Sequence, residues 1–185
     1  MPEGVLLLAF VTLQRLAELA LATRNTRLLI VQGAVEFGQW HYPLMVLFHA
    51  AWLASLWWFG ASEPVRADFL VAFVLLQGLR LWVLASLGSR WTTRIIVMPG
   101  APLVRRGPYR YLRHPNYVVV ALEVAVVPLA LDLRWIAAVF SIANIPLLLH
   151  RMAVEGAALE WAQRQPAAVS PPHPASGDII PGDSG

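Results

Sequence analysis

Asp68–Gly88 reads DFLVAFVLLQGLRLWVLASLG, an apolar run interrupted only by Gln77, Gly78 and Arg80. At ~1.5 Å of rise per residue, a helix of this length crosses a hydrocarbon core ~30 Å thick. Working outward, further apolar segments lie at about Gly4 to Ala22, Pro43 to Phe59, Tyr117 to Leu131 and Trp135 to Leu149. The first is as comfortable a span as Asp68–Gly88, while the last two are short. Only Asp132, Leu133 and Arg134 separate them, which predicts a tight helical hairpin. Pro128 and Pro146 are placed to kink its arms, and the hairpin is expected to tilt or to stop short of the far side. The predicted fold is all-α: an integral membrane protein of about five transmembrane helices.

Composition agrees with lipid as the main solvent. Of 185 residues, 58% are hydrophobic and 14% charged, against ~25% charged in an ordinary soluble domain. One membrane domain over 1–165 is expected, followed by a Pro-, Ser-, Ala- and Gly-rich tail at 166–185 with no periodicity to fold it. All fourteen basic residues are Arg and the net charge is +3, yet no basic run alternates with aromatics as a nucleic-acid groove requires, so nucleic acid is not an expected partner. The chain has no Cys, which excludes thiol chemistry. Gln14, Arg15 and Glu18 within the first segment, and the lack of a positive flank before it, predict a retained helix rather than a cleaved signal peptide.

Arginine placement sets the expected topology. With five crossings and the N-terminus outside, Arg24, Arg27, the Arg residues between Gly88 and Tyr117, Arg151 and Arg164 fall inside, and only Arg66 and Arg134 fall outside. The longest polar loop, Ser89 to Asn116, is then cytoplasmic, and the expected location is a cell membrane with that loop on its inner side.

Arg15, Glu18, Arg80 and Glu123 stand inside spans, where ionisable groups are costly and face a bundle interior or a cavity. Gln14, Arg15 and Glu18 share one helix face. They either pair between helices to fix packing or line a polar cavity. The linker from Arg24-Asn25-Thr26-Arg27 through Glu36 to His41-Tyr42-Pro43 is richer in Gly, amide and aromatic residues than a connector needs, and is positioned to fold back on a binding site. Arg15, Glu18, Asn25, Glu36 and His41 are candidate substrate-binding residues, although His41 taken alone reads more readily as an interfacial histidine beside Trp40 and Tyr42. His49, on an apolar stretch, reads as a packing histidine.

The stretch richest in chemistry is Gly107-Pro108-Tyr109-Arg110-Tyr111-Leu112-Arg113-His114-Pro115-Asn116-Tyr117, at the mouth of the hairpin. Its prolines and glycine stiffen the backbone, Arg and His supply donors, and the tyrosines offer ring faces to a base or a sulfonium. Such a loop suits an anionic, ring-bearing small molecule, and equally the headgroups of membrane lipid.

The ordered set of Gly-Pro-Tyr-Arg-Tyr-x-Arg-His-Pro-x-Tyr, the hairpin and Arg151-x-x-x-Glu155 resembles the isoprenylcysteine carboxyl methyltransferase family. Upstream, Gln14-Arg15-x-x-Glu18, Arg24-Asn25 and Gly33-Ala34-x-Glu36 to His41-Tyr42-Pro43 resemble a bacterial branch associated with type III polyketide synthases, which methylates alkylpyrone or alkylresorcinol hydroxyls. The similarity runs from about Gln14 to Leu159. It implies an S-adenosylmethionine site built from the cytoplasmic loop, the hairpin and the helix after it. Tyr109, His114 and Tyr117, with Arg151 and Glu155, are the implied cofactor-binding residues, and Arg113, Arg151 and Glu155 the implied catalytic ones. The family's second Glu after the Arg is Gly156 here, with Glu160 as a nearby substitute.

The implied reaction is transfer of a methyl group to an oxygen of a lipophilic small molecule. An in-line displacement at a sulfonium needs no metal, and holding reactants as a near-attack pair supplies ~7–11 kcal/mol of the acceleration. A pyrone enol or a carboxylate is already anionic near neutral pH, whereas a phenol, with a pKa near ~10, requires a base. A prenylcysteine carboxylate is the alternative acceptor. A non-enzymatic lipid-binding scaffold would use the same charges without a cofactor, and a transporter would use midplane charges and broken helices, for which five spans without a repeat are a poor start.

Overall fold

The computed structural model describes residues 2–166. In chain order it contains α1 (Glu3–Val31), β1 (Val35–Phe37), α2 (Tyr42–Gly60), α3 (Ala67–Leu87), β2 (Ile95–Val97), α4 (Pro115–Ala130) and α5 (Arg134–Arg164). The tail expected at 166–185 lies, but for Pro166, outside the described residues. Helices α1, α2, α3 and α5 are each long and apolar enough to cross a membrane. Helix α4, at 16 residues, reaches ~24 Å. Large apolar side chains such as Leu13, Leu47, Leu75 and Ile142 stand exposed on the outer faces, as a bundle solvated by lipid requires. The chain is a multi-pass membrane protein.

Local chemistry explains the element ends. Helix α1 stops where Gly33 takes a positive φ of 90° and the Ala34 N–H donates to the Leu29 carbonyl at 2.9 Å, a glycine-terminated C-cap. Pro43 and Pro115 occupy first-turn positions of α2 and α4, where no backbone donor is needed. The α4–α5 hairpin turns through Asp132, the one non-glycine residue with positive φ among those described, with Leu133 N–H returning to the Pro128 carbonyl at 2.8 Å.

Two expectations are corrected. Arg24–Arg27 is not a linker: α1 continues through it to Val31. The fifth segment is not short either, since α5 runs unbroken past Pro146 to Arg164. At 29 and 31 residues, both helices outreach a ~30 Å core. Their polar turns add helix without adding hydropathy, so hydropathy alone truncates them.

Helix α4 lies between α3 and α5, its principal neighbours. At the end of the bundle bearing the N-terminus, Leu8, Val11, Trp52, Leu56, Val127, Leu131 and Ile136 form a dense apolar core, into which the Trp52 indole donates a bond to the Val124 carbonyl at 3.2 Å. A charged layer follows. Arg80 of α3 donates through Nε to Glu123 Oε1 (2.9 Å) and through Nη1 to Glu18 Oε2 (2.9 Å), and pairs through Nη2 with Glu123 Oε2. Arg15 bridges Glu123 (2.5 Å) and Glu18 (3.0 Å), while Gln14 and Gln77 complete the carboxylates. Two arginines and two glutamates from α1, α3 and α4 thus cancel in charge and pair with one another, the condition under which buried ions are tolerated. Of their charged groups only Arg15 Nε is left buried without a partner among the described residues. Beyond them a second apolar cluster of Ala22, Val83, Trp91 and Val119 closes the bundle.

At the loop end, β1 and β2 form a two-stranded antiparallel ribbon with Glu36 opposite Ile96. Ile95 and Val97 bury one side of it against Ala158 and Ala162 of α5. The ribbon ties the segment after α1 to the long loop after α3, and both to the end of α5.

Candidate functional site

The long loop, the starts of α4 and the end of α5 enclose a cavity of about 560 Å³, within the range of small-molecule sites. Tyr109, Arg113, His114, Tyr117, Arg151 and Glu155 all line it. Pro115 holds His114 out of helical geometry at φ −133°, ψ 61°, so the imidazole sits on a corner before α4. Its Nδ1 lies 3.2 Å from Glu155 Oε2 of α5, and its ring tilts against Tyr117 at 5.5 Å between centroids.

Arg151 and Glu155 are four apart on α5, but the two side chains do not pair with each other. Arg151 turns the other way: Nη2 donates to the Thr93 carbonyl at 2.9 Å, Nη1 meets Met45 Sδ, and the guanidinium lies 5.7 Å from the Tyr117 ring centre. Glu155 faces His114 instead. Glu155 Oε2 is nevertheless buried without a hydrogen bond.

Three further cavity residues share this property. Arg151 Nε, Asn116 Oδ1 and Trp91 Nε1 are also buried and unpartnered. Buried polar atoms are almost always satisfied, so unpartnered donors and acceptors lining one cavity mark a place for a polar ligand. A cofactor carrying an amino acid head, a ribose and a base offers both donors and acceptors, and the donor set fits it. Burial, reinforced by the Glu155 charge, pushes the Tyr109 phenol well above its usual pKa, so Tyr109 acts here as a neutral donor with an aromatic face. Arg113 and Arg105 line the cavity, exposed and without partners among the described residues. Gly156 also lines it, and a Cβ placed there would meet no atom within 4 Å. Glu160 reaches the same wall.

The candidate substrate residues are not gathered at this cavity. Arg15 and Glu18 belong to the charged layer between the apolar clusters. Asn25 is buried and donates to the Trp91 carbonyl at 2.8 Å. Glu36 accepts from Arg94 Nη1 at 2.7 Å. His41 is buried beside His150, 4.9 Å between ring centroids, with Nδ1 unpartnered and Gly38 packed close against it. His49 bonds the Met45 carbonyl at 2.9 Å, as a packing histidine does.

Sequence reading missed Trp91, Arg94 and Asn116. Asn116 stood inside the quoted motif as a variable position. Trp91 and Arg94 shortly precede Ile95-Ile96-Val97, and that β-branched triplet is the available signal of a strand in the loop.

A family model described as "Isoprenylcysteine carboxyl methyltransferase (ICMT) family" matches residues 69–161. The chain is 39% identical over 168 residues to "Uncharacterized protein YpbQ" of Bacillus subtilis, a match covering 84% of this chain and 95% of that protein. It is 26% identical over 112 residues to an uncharacterized protein of Haemophilus influenzae, covering 56% of this chain and 63% of the other. No solved structure matches it.

Proposed function

Since the chain belongs to the isoprenylcysteine carboxyl methyltransferase family, we propose that it is an integral-membrane, S-adenosylmethionine-dependent O-methyltransferase whose cofactor site is the loop-end cavity. The observation that carries this is the meeting of His114 and Glu155 at that cavity, with Arg151, Asn116 and Trp91 presenting unpartnered polar atoms into it. The bound cofactor supplies an electrophilic methyl carbon on a sulfonium. Glu155 Oε2 and Asn116 Oδ1 are acceptors for its ammonium or hydroxyl groups, and Arg151 Nε is a donor for its carboxylate. Tyr109 and Tyr117 present ring faces to the positive charge, and the apolar clusters beneath exclude water.

The acceptor we propose is the hydroxyl of a long-chain alkylpyrone or alkylresorcinol. Exposed apolar helix faces solvate the chain, and Arg113 and Arg105 at the cavity receive an anionic head. A pyrone enolate needs no general base, and among the two heads it suits this arginine-rich mouth better. We place the cavity in the cytoplasm of a bacterial inner membrane, because the Arg-rich ends of the helices gather at the loop end.

Calorimetric titration of the detergent-purified protein with S-adenosylhomocysteine tests the cofactor assignment: saturable binding is expected, and none would make the protein a lipid-binding scaffold. Methyl transfer to pyrones of graded chain length tests the acceptor. At ~0.8 kcal/mol per buried methylene, apparent affinity should fall about fourfold for each one removed. Equal use of short, water-soluble pyrones, or exclusive use of a prenylcysteine, would overturn it.

A further inference from the structure

Asn25 and Glu36 lie outside the cavity, yet both grip the chain that passes along its wall. Asn25 Nδ2 donates to the Trp91 carbonyl at 2.8 Å, fixing one end of residues 91–94. At the other end Glu36 accepts from Arg94 Nη1 at 2.7 Å, and the Arg94 guanidinium lies 4.3 Å from the Tyr42 ring centre. Between them the Tyr42 hydroxyl lies 3.2 Å from Thr93 Oγ1, and Thr92 Oγ1 donates to the Arg94 carbonyl at 2.7 Å. The Thr93 carbonyl held in this way is the acceptor for Arg151 Nη2.

We propose that Asn25 and Glu36 are positioning residues: by clamping residues 91–94 they fix the Thr93 carbonyl, and through it the direction in which Arg151 enters the cavity. Arg151 requires such a hold. Its nearest carboxylate along α5, Glu155, faces His114, so no ion pair on its own helix orients it. Its other contacts are the soft thioether of Met45 and the face of the Tyr117 ring, 5.7 Å from the guanidinium, and neither offers a hydrogen-bond acceptor that sets a direction. The Glu36–Arg94 pair is partly exposed and adds little to stability as a surface bridge. Its geometry matters because a planar guanidinium both bonds the carboxylate and stacks on Tyr42, a pairing lysine does not reproduce.

The inference deepens the cofactor reading and rests on it for its effect on binding, so the test uses two readouts. Modification of arginines by phenylglyoxal, followed by peptide mass spectrometry, reports the accessibility of Arg151 without any cofactor. In Glu36→Gln, Arg94→Lys and Asn25→Ala, Arg151 should be modified several-fold faster than in the wild type, while helical circular dichroism stays unchanged. S-Adenosylhomocysteine titration should show Glu36→Gln weakened about fivefold, with no further loss when it is added to Arg151→Gln, the non-additivity expected of groups in one network. Wild-type protection of Arg151 in all three folded variants would overturn the inference. An effect of Glu36→Gln on the KM for the methyl acceptor alone, with Arg151 protection and cofactor affinity intact, would do the same and make Glu36 a substrate contact. Faster Arg151 modification in a protein whose wild type binds no S-adenosylhomocysteine would leave the clamp standing and remove the cofactor reading instead.

Discussion

The His114 imidazole and the Glu155 carboxylate, far apart in the sequence, lie 3.2 Å apart at the cavity. The turn at Leu131–Leu133 makes this possible, because it returns α5 antiparallel to α4 and carries the polar end of α5 past the corner where α4 begins. An approach that close without a formed hydrogen bond leaves Glu155 free to accept from a ligand.

If this pair belongs to the cofactor site, Glu155→Gln and His114→Ala should each weaken S-adenosylhomocysteine binding at least tenfold, as loss of a charged hydrogen bond of ~1.5–3 kcal/mol requires. The variants should remain folded, since neither side chain contributes to the apolar clusters. Calorimetric titration checks the affinity and circular dichroism the fold. Wild-type affinity in both would move the site elsewhere.

The charged layer makes a different demand. Glu123 is fully buried and holds both Arg15 and Arg80. Replacing it with Leu leaves two guanidiniums on one remaining carboxylate, a loss of about 3–5 kcal/mol for a broken buried pair. Arg80→Leu combined with Glu123→Leu leaves the neutral Arg15–Glu18 pair and should recover most of that loss. Thermal unfolding in detergent reads the difference. A double variant as unstable as Glu123→Leu alone would show that the layer acts by something other than charge balance.

Much of this architecture is legible in the amino-acid order. Gln14, Arg15 and Glu18 share a face because of helical spacing, and the hairpin follows from the brevity of Asp132-Leu133-Arg134 between two apolar runs. What escapes is whatever depends on partners distant in the chain. Asn25 and Glu36 look like ligands for a substrate because nothing local explains them, and their partners, Trp91 and Arg94, come from another loop. Three-residue strands such as Val35–Phe37 carry no periodicity to detect. Hydropathy also ends α1 near Ala22, because it measures lipid contact and not helix length.

Tyr109 supplies a pH dependence of definite sign. Its folded pKa is raised by burial, with the Glu155 charge adding to the effect, so the folded state favours the protonated phenol. Stability from this group is therefore fully present below the unfolded value near ~10 and is lost as pH rises beyond it. Melting temperatures recorded from pH 8 upward (about two units below that value) should fall less steeply above pH ~10 in Tyr109→Phe than in the wild type. Parallel curves would mean that Tyr109 ionises freely in the fold.

The arginines predict how the molecule sits in its membrane. Arg24, Arg27, Arg90, Arg94, Arg105, Arg106, Arg110, Arg113, Arg151 and Arg164 all belong to the loop end, while Arg66 and Arg134 mark the opposite end beside the N-terminus. Arginine in short loops near helix ends biases those loops to the cytoplasm, which predicts the N-terminus outside and the end of α5 inside. A cytoplasm-active reporter fused after Gln165 should be active, and the same reporter at the N-terminus should be silent. An odd number of crossings puts the two ends on opposite sides, and α4 is the span on which that turns, being the shortest at 16 residues. Glu123 on α4 pairs with Arg15 of α1 and Arg80 of α3 within the charged layer, so α4 sits at the depth of helices that cross fully. Both reporters active on one side would mean that α4 and α5 enter and leave by the same face, and the five-crossing arrangement would fall.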